Sequence, residues 1–218
     1  MSFVQRKARP LTRDAVSLRD DRLFIVACDD TYAPKQYFGF FNITRVKVHA
    51  VPTEDGTSAA KYVLERLLEF DHEVDDELWM LLDTDHCTAG NHFQSFITAI
   101  RDARQRGIKV ALSKPCFEFW LLLHHEDETA VTVLKNAQET EIALRKKLGQ
   151  YDKRNLKQEH YPLASVYKAC QRAEKLDGVV KSGDNPSDNI SQVYLLWKAI
   201  AAKGLPSQLP AELRGLLP

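Results

Sequence analysis

An α/β fold, with a mainly parallel sheet flanked by helices and a helical extension on its C-terminal side, is predicted by three observations on this 218-residue chain. Short apolar runs of strand length alternate with amphipathic stretches of helix length through its first half. Acids stand where those runs stop: Asp29 and Asp30 after the first, Asp83 and Asp85 at the end of the third. Beyond the segment around Cys116, helical spacing takes over. A strand-helix order repeated in this way implies parallel pairing through crossover helices, with the ligand site at the carboxyl ends of the strands.

The elements follow in order. Arg22 to Cys28, RLFIVAC, reads as the first strand. A helix follows with Pro34 in its first turn and Tyr37, Phe38 and Phe41 on one face. Arg45 to Val51 alternates as a strand does, with Val46, Val48 and Ala50 on one side and Lys47 and His49 on the other. After a turn at Pro52 to Gly56, Thr57 or Ser58 is suited to cap a helix running to about Phe70, with Tyr62, Val63, Leu67 and Phe70 as its apolar stripe. Leu78 to Leu82 is too apolar to be anything but a buried strand. A helix from Asn91 to Arg106 buries Phe93, Phe96, Ile97 and Ile100 and stops at Gly107. Ile108 to Leu112 is the fourth strand, and Ser113 lies at its end. Helices are then expected over Phe117 to His124, Thr129 to Leu148, Leu163 to Leu176 and Ile190 to Lys203, with Tyr151 to Gln158 a basic linker and Lys181 to Asn189 a break. The organisation predicted is a basic N-terminal arm (1–21), an α/β core (22–128) and a helical extension (129–218).

Thirty basic and thirty acidic residues cancel, but unevenly along the chain. Met1 to Arg22 holds 6 basic and 3 acidic residues, Leu23 to Glu128 holds 10 and 18, and Thr129 to Pro218 holds 14 and 9. An acidic centre between basic flanks suits a metal site acting on a phosphodiester gripped by Lys and Arg, although charged helix faces alone would also produce it. Cys28, Cys87, Cys116 and Cys170 lack paired spacing and read as reduced, mostly buried thiols. With no apolar run near the roughly 20 residues of a membrane span and no opening signal peptide, a cytoplasmic, non-membrane protein is expected.

The chemistry concentrates at Asp83-Thr84-Asp85. A carboxylate inside an apolar strand is costly, so the pair belongs at the strand's edge, and residues two apart point the same way. Both can then reach one hard cation, Mg²⁺ or Mn²⁺. The competing reading is that they only cap a turn. Asp29 ends a neighbouring strand and is a third candidate ligand or an acid/base. Glu118 opens the helix after Ser113-Lys114, where it either joins the cluster or merely complements the helix dipole. His86, beside Asp85, is a candidate acid/base, whereas His124 reads as a satisfied core histidine. A phosphoacceptor receiver would also explain Asp29-Asp30, Asp83 and Lys114-Pro115, but only one helix and one strand separate Asp83 from Lys114, a full unit too few.

These residues fit a Toprim-like arrangement, and the chain resembles the RloB-like proteins, Toprim-containing products of bacterial restriction and phage-defence loci. The resemblance is carried by Ile25 to Asp30 with Tyr37-Phe38, by Leu81 to Asp85, and above all by Ser113 to Trp120 with His124; Tyr151 to Asn155 and Asn185 to Asn189 are weaker echoes. It implies a Mg²⁺-dependent nuclease on RNA, tRNA included, or DNA, in anti-phage defence. It also implies an ABC- or AAA-type ATPase as partner; Lys114 and, in the basic extension, Lys153 and Arg154 are the nucleic-acid contacts expected from charge, and a homo-oligomer is a further expectation. The chain departs from the family where Asp29-Asp30 replaces the usual Glu-Gly, where Ala33-Pro34 replaces Thr-Glu, and where Lys114 replaces Asn. The shorter Asp29 retracts its carboxylate by one methylene, so the alternative function is a catalytically impaired Toprim-like interaction or regulatory subunit.

Overall fold

The computed structural model describes residues 22–53, 57–85, 91–178 and 186–217. Its strands are β1 (Arg22–Cys28), β2 (Val46–Val51), β3 (Glu77–Asp83), β4 (Lys109–Lys114) and β5 (Ile190–Ser191). They form a five-stranded sheet in the order β2-β1-β3-β4-β5, in which all neighbours are parallel except β4 and β5. The helices are α1 (Ala33–Gly39), α2 (Ala60–Glu69), α3 (Asn91–Gln105), α4 (Phe117–Leu123), α5 (Glu128–Val131), α6 (Ala137–Leu148), α7 (Leu163–Asp177) and α8 (Val193–Lys203). Short 3-10 turns lie at Gln158–His160 and Ala211–Leu216.

The alternation of side chains along β1 and β3 divides the core in two. Ile25, Ala27, Met80 and Leu82 face α2 and α3, meeting Val63, Leu67, Phe96 and Ile100. Phe24, Val26, Trp79 and Leu81 face the opposite way, onto Tyr37, Trp120, Val166 and Trp197. Strands covered on both faces must be apolar throughout, which is why these runs lack the polar alternation of β2, whose Lys47 and His49 sit on the sheet edge.

Several boundaries differ from the sequence expectation. Helix α2 has Ala59 at its N-cap and no side-chain cap, neither Thr57 nor Ser58 serving, and its buried stripe is Ala60, Val63, Leu64 and Leu67. Tyr62 instead stands 44% exposed. The single helix expected over Thr129 to Leu148 is two, because Asp127 caps α5 through Thr129 N–H and Ala130 N–H while Asn136 caps α6 through Glu139 N–H. Ile190 does not begin the last helix but pairs with Lys114 across the β4–β5 edge, adding a strand from the C-terminal region to the sheet.

One polar thread joins the elements covering the α1/α8 face. Trp197 Nε1–H of α8 donates to Tyr37 Oη of α1 at 3.1 Å, and Tyr37 lies 3.0 Å from His124 Nε2 at the end of α4. His124 Nδ1 in turn lies 2.6 Å from Ser165 Oγ of α7, which donates to Pro162 O at 2.7 Å. Burial holds the His124 imidazole well below its usual range. A neutral ring with its proton on Nδ1 satisfies every link, so His124 is a core histidine as its sequence context suggests. Tyr37→Phe strands two buried partners, and a loss of about 1–3 kcal/mol is expected in chemical denaturation. A loss below about 0.5 kcal/mol would mean that the thread does not help hold the four elements together.

Candidate metal centre

Since β1, β3 and β4 are parallel neighbours, their carboxyl ends open on one edge of the sheet. Asp29 follows β1 directly, Asp83 ends β3, and Asp83 N–H donates to Asp29 Oδ2 at 2.7 Å. The next turn is clamped onto the β4 end, Thr84 N–H bonding Ser113 O at 3.0 Å and Asp85 N–H bonding Pro115 O at 3.2 Å. Phe117 N–H, at the first residue of α4, faces the Asp83 carboxylate and favours its charged form. Glu118 follows, buried at 8% exposure, its Oε1 accepting from Tyr151 Oη at 2.8 Å.

The carboxylates feel one another. Burial, reinforced by the charges of Asp30 and Asp85 and opposed by the bond from Asp83 N–H, pushes Asp29 up from 3.8 to about 8. Burial likewise raises Asp83 well above the usual range, with Asp29, Glu118 and Asp85 adding to the effect. Water-poor, like-charged carboxylates retain protons unless a cation compensates them. An all-oxygen set of this kind has the donor chemistry of Mg²⁺ or Mn²⁺. The side chains as they stand do not yet converge on one ligation point: among the described residues, no group of three or more His, Cys, Asp or Glu is set to hold a metal ion. The expectation that at least three carboxylates are close enough to share one ion is therefore not met in this arrangement, in which Asp29 spends one oxygen on a backbone amide.

The loop after α6 reaches this edge. Gly149 closes α6 at φ 77° and turns the chain back, so that Tyr151 meets Glu118, Lys153 Nζ lies 3.5 Å from Asp30 Oδ2, and Arg154 stands 5.4 Å over the Tyr32 ring. Gln36 of α1 fastens the loop, donating to Lys153 O at 2.8 Å and accepting from Leu156 N–H at 2.9 Å. Burial works to lower the Lys153 ammonium, but Asp30 and Glu118 outweigh it and its pKa is raised. Lys114 is placed differently: its ammonium donates to Pro186 O and Ser187 O at 2.7 and 2.8 Å, holding the approach to β5. His86 lies outside the described residues.

A family model described as RloB-like protein matches residues 24–200, from β1 to α8. The chain belongs to the RloB-like family. Comparison with curated proteins and with solved structures finds no match. The matched span of this RloB-like chain takes in Asp29, Asp83, Asp85 and Glu118 together with Tyr151, Lys153 and Arg154.

Two neighbours of the site, Asp30 and Tyr151, have roles that the sequence does not assign them. Asp30 holds the start of α1, accepting from Tyr32 N–H and Ala33 N–H at 2.5 and 2.8 Å, besides facing Lys153. Tyr151 looked like linker; the signal available was an aromatic residue directly after a helix-ending glycine, inside a segment already echoing the family.

A proton held more tightly in the folded than the unfolded chain stabilises folding fully below the unfolded pKa, and that contribution is lost as pH rises through the folded one. For Asp29 the window runs from 3.8 to about 8. In chelator, denaturation of wild type against Asp29→Asn should show the wild type losing stability relative to the variant across that window. A pH-independent difference would place Asp29 in ordinary solvent.

Proposed function

We propose that this protein is a Mg²⁺- or Mn²⁺-dependent nuclease of the Toprim type, cleaving phosphodiesters of RNA, with tRNA among the candidates, or of DNA in anti-phage defence. The observation that carries the reading is the placement of Asp29 and Asp83, with Asp85 and Glu118 close behind in the chain segments that follow β3 and β4, at the carboxyl ends of adjacent parallel strands, where burial and their mutual charge raise the proton affinity of Asp29 and Asp83. Asp83 and Asp85 would hold the ion, with Asp29 completing the set. When bound, a divalent ion polarises a phosphoryl oxygen and eases deprotonation of an attacking water.

The chain's own groups would supply the rest. Glu118, held by Tyr151, would be the carboxylate that receives the proton water gives up as it attacks phosphorus. Asp29 would do one of two things: complete the ion's ligand set or, left outside it, pass a proton from Oδ1, opposite the oxygen tied to Asp83 N–H, to the oxygen leaving phosphorus. Lys153, beside Asp30, and Arg154, over the Tyr32 ring, would grip the phosphate backbone from the Tyr151 loop. An ATPase partner is part of the proposal through the family alone.

A second reading, a catalytically impaired interaction or regulatory subunit, is favoured by one observation: Asp29 is engaged as a structural acceptor for the Asp83 amide. Cleavage assays on tRNA, single-stranded and duplex substrates with Mg²⁺ or Mn²⁺ separate the two. The nuclease reading expects metal-dependent cleavage that falls by more than roughly 100-fold in Asp83→Asn and in Asp85→Asn, the scale of losing ion-based charge stabilisation. Cleavage by neither wild type nor variants, on any of the substrates, favours the interaction subunit.

A further inference from the structure

A cavity of about 450 Å³ opens beside Asp29 on the α2/α3 side of the sheet. Leu82 and Phe96, both buried, contribute apolar surface to its wall, and Ser58 and Ser95 contribute hydroxyls. Ala59 and Ala60 also line it, so the start of α2 borders the space without a side-chain cap and without an acid in its first turn. Backbone N–H groups at such a helix start favour an anion. Tyr62, 44% exposed, lines it too, with Thr57 and His92, while Lys61 Nζ, 5.8 Å from the Tyr62 ring centroid, pairs with Glu65 at 3.7 Å. The apolar stripe expected from the sequence includes Tyr62, and the fold instead spends this aromatic on the surface, beside a carboxylate of the metal centre.

The combination is specific. A planar ring and apolar wall suit a nucleobase, an uncapped helix start suits its phosphate, and the volume lies in the range of small-molecule sites. We propose that this cavity holds one unpaired nucleotide of a strand whose phosphodiester lies at Asp29, Asp83 and Asp85, so that the substrate is single-stranded at the point of reaction. A base still paired and stacked in a duplex cannot enter such a space without being turned out of the helix. A second cavity of about 450 Å³, bordered by Ser95 and Lys61, continues along the same pair of helices and offers a path for the adjoining strand. This inference rests on the reading of those carboxylates as directed at a phosphodiester.

Its test is binding, with cleavage scored separately. Anisotropy of a short labelled single-stranded RNA, and of a duplex of the same sequence, is measured with the full chain in Ca²⁺. Tyr62→Ala should weaken single-strand binding about tenfold, as loss of one base-stacking platform does, and Tyr62→Phe should restore it. Ser95→Trp, which fills the space from an exposed position, should weaken it likewise. Duplex binding should be weaker than single-strand binding and indifferent to all three changes. Single-strand affinity unaltered in both Tyr62→Ala and Ser95→Trp, equal affinity for the duplex, or no binding by the wild type would overturn the inference. Tyr62-dependent binding without metal-dependent cleavage would retain the nucleotide pocket and remove the nuclease. Cleavage indifferent to Tyr62→Ala and Ser95→Trp would do the reverse.

Discussion

The hydrogen bond from Asp83 N–H to Asp29 Oδ2 fastens the carboxyl ends of the two central strands and at the same time holds one acid against another. Neither acid can be shed into solvent without loosening the edge of the sheet. Burial raises the proton affinity of both, so the fold carries a standing electrostatic cost at this edge, one that a bound cation would relieve. Buried, like-charged carboxylates of this kind are found at functional sites and in structural networks alike.

That enforcement comes from both sides of the sheet. On one face α2 and α3 cover the β1 and β3 side chains; on the other, α1, α4, α7 and α8 close over them, tied by the Trp197–Tyr37–His124–Ser165 thread. Anchored by Gln36, the loop after α6 then has one place to lie, across the acidic edge, where it brings Tyr151 to Glu118 and Lys153 to Asp30. The family match spanning residues 24–200 likewise runs through the sheet, this loop and α8 without a break. Among the described residues no helix is long and apolar enough to cross a membrane.

Much of this was legible in the chain because it depends on local pattern. Continuous apolar runs ending in acids mark central parallel strands, and the placement of Asp29 and Asp83 on one edge follows from the order of those runs. What was not legible depends on tertiary closure. Nothing local makes Ile190-Ser191 a strand; its pairing exists because β4 offers an open edge and Lys114 holds the approaching carbonyls. Tyr62 is a misreading of local pattern instead: its neighbours at helical spacing are Ser58, Ala59, Glu65 and Arg66, whereas Val63 shares a face with Ala60 and Leu67, so Val63 is buried and Tyr62 is left out. The partnership of Tyr151 with Glu118, 33 residues apart, needs the loop's return and cannot be seen from spacing. Asp29 is the instructive mixed case: its place was readable, and its bond to a backbone amide was not.

If the edge exchanges protons for a cation, the two events must be coupled. Mn²⁺ titration by calorimetry at neutral pH, in buffers of differing ionisation heat, measures both at once. The expected result is binding of about one ion per chain with net proton release, both lost in Asp83→Asn. Absence of binding, or binding without proton release that survives in Asp83→Asn, would contradict a metal centre built on these carboxylates.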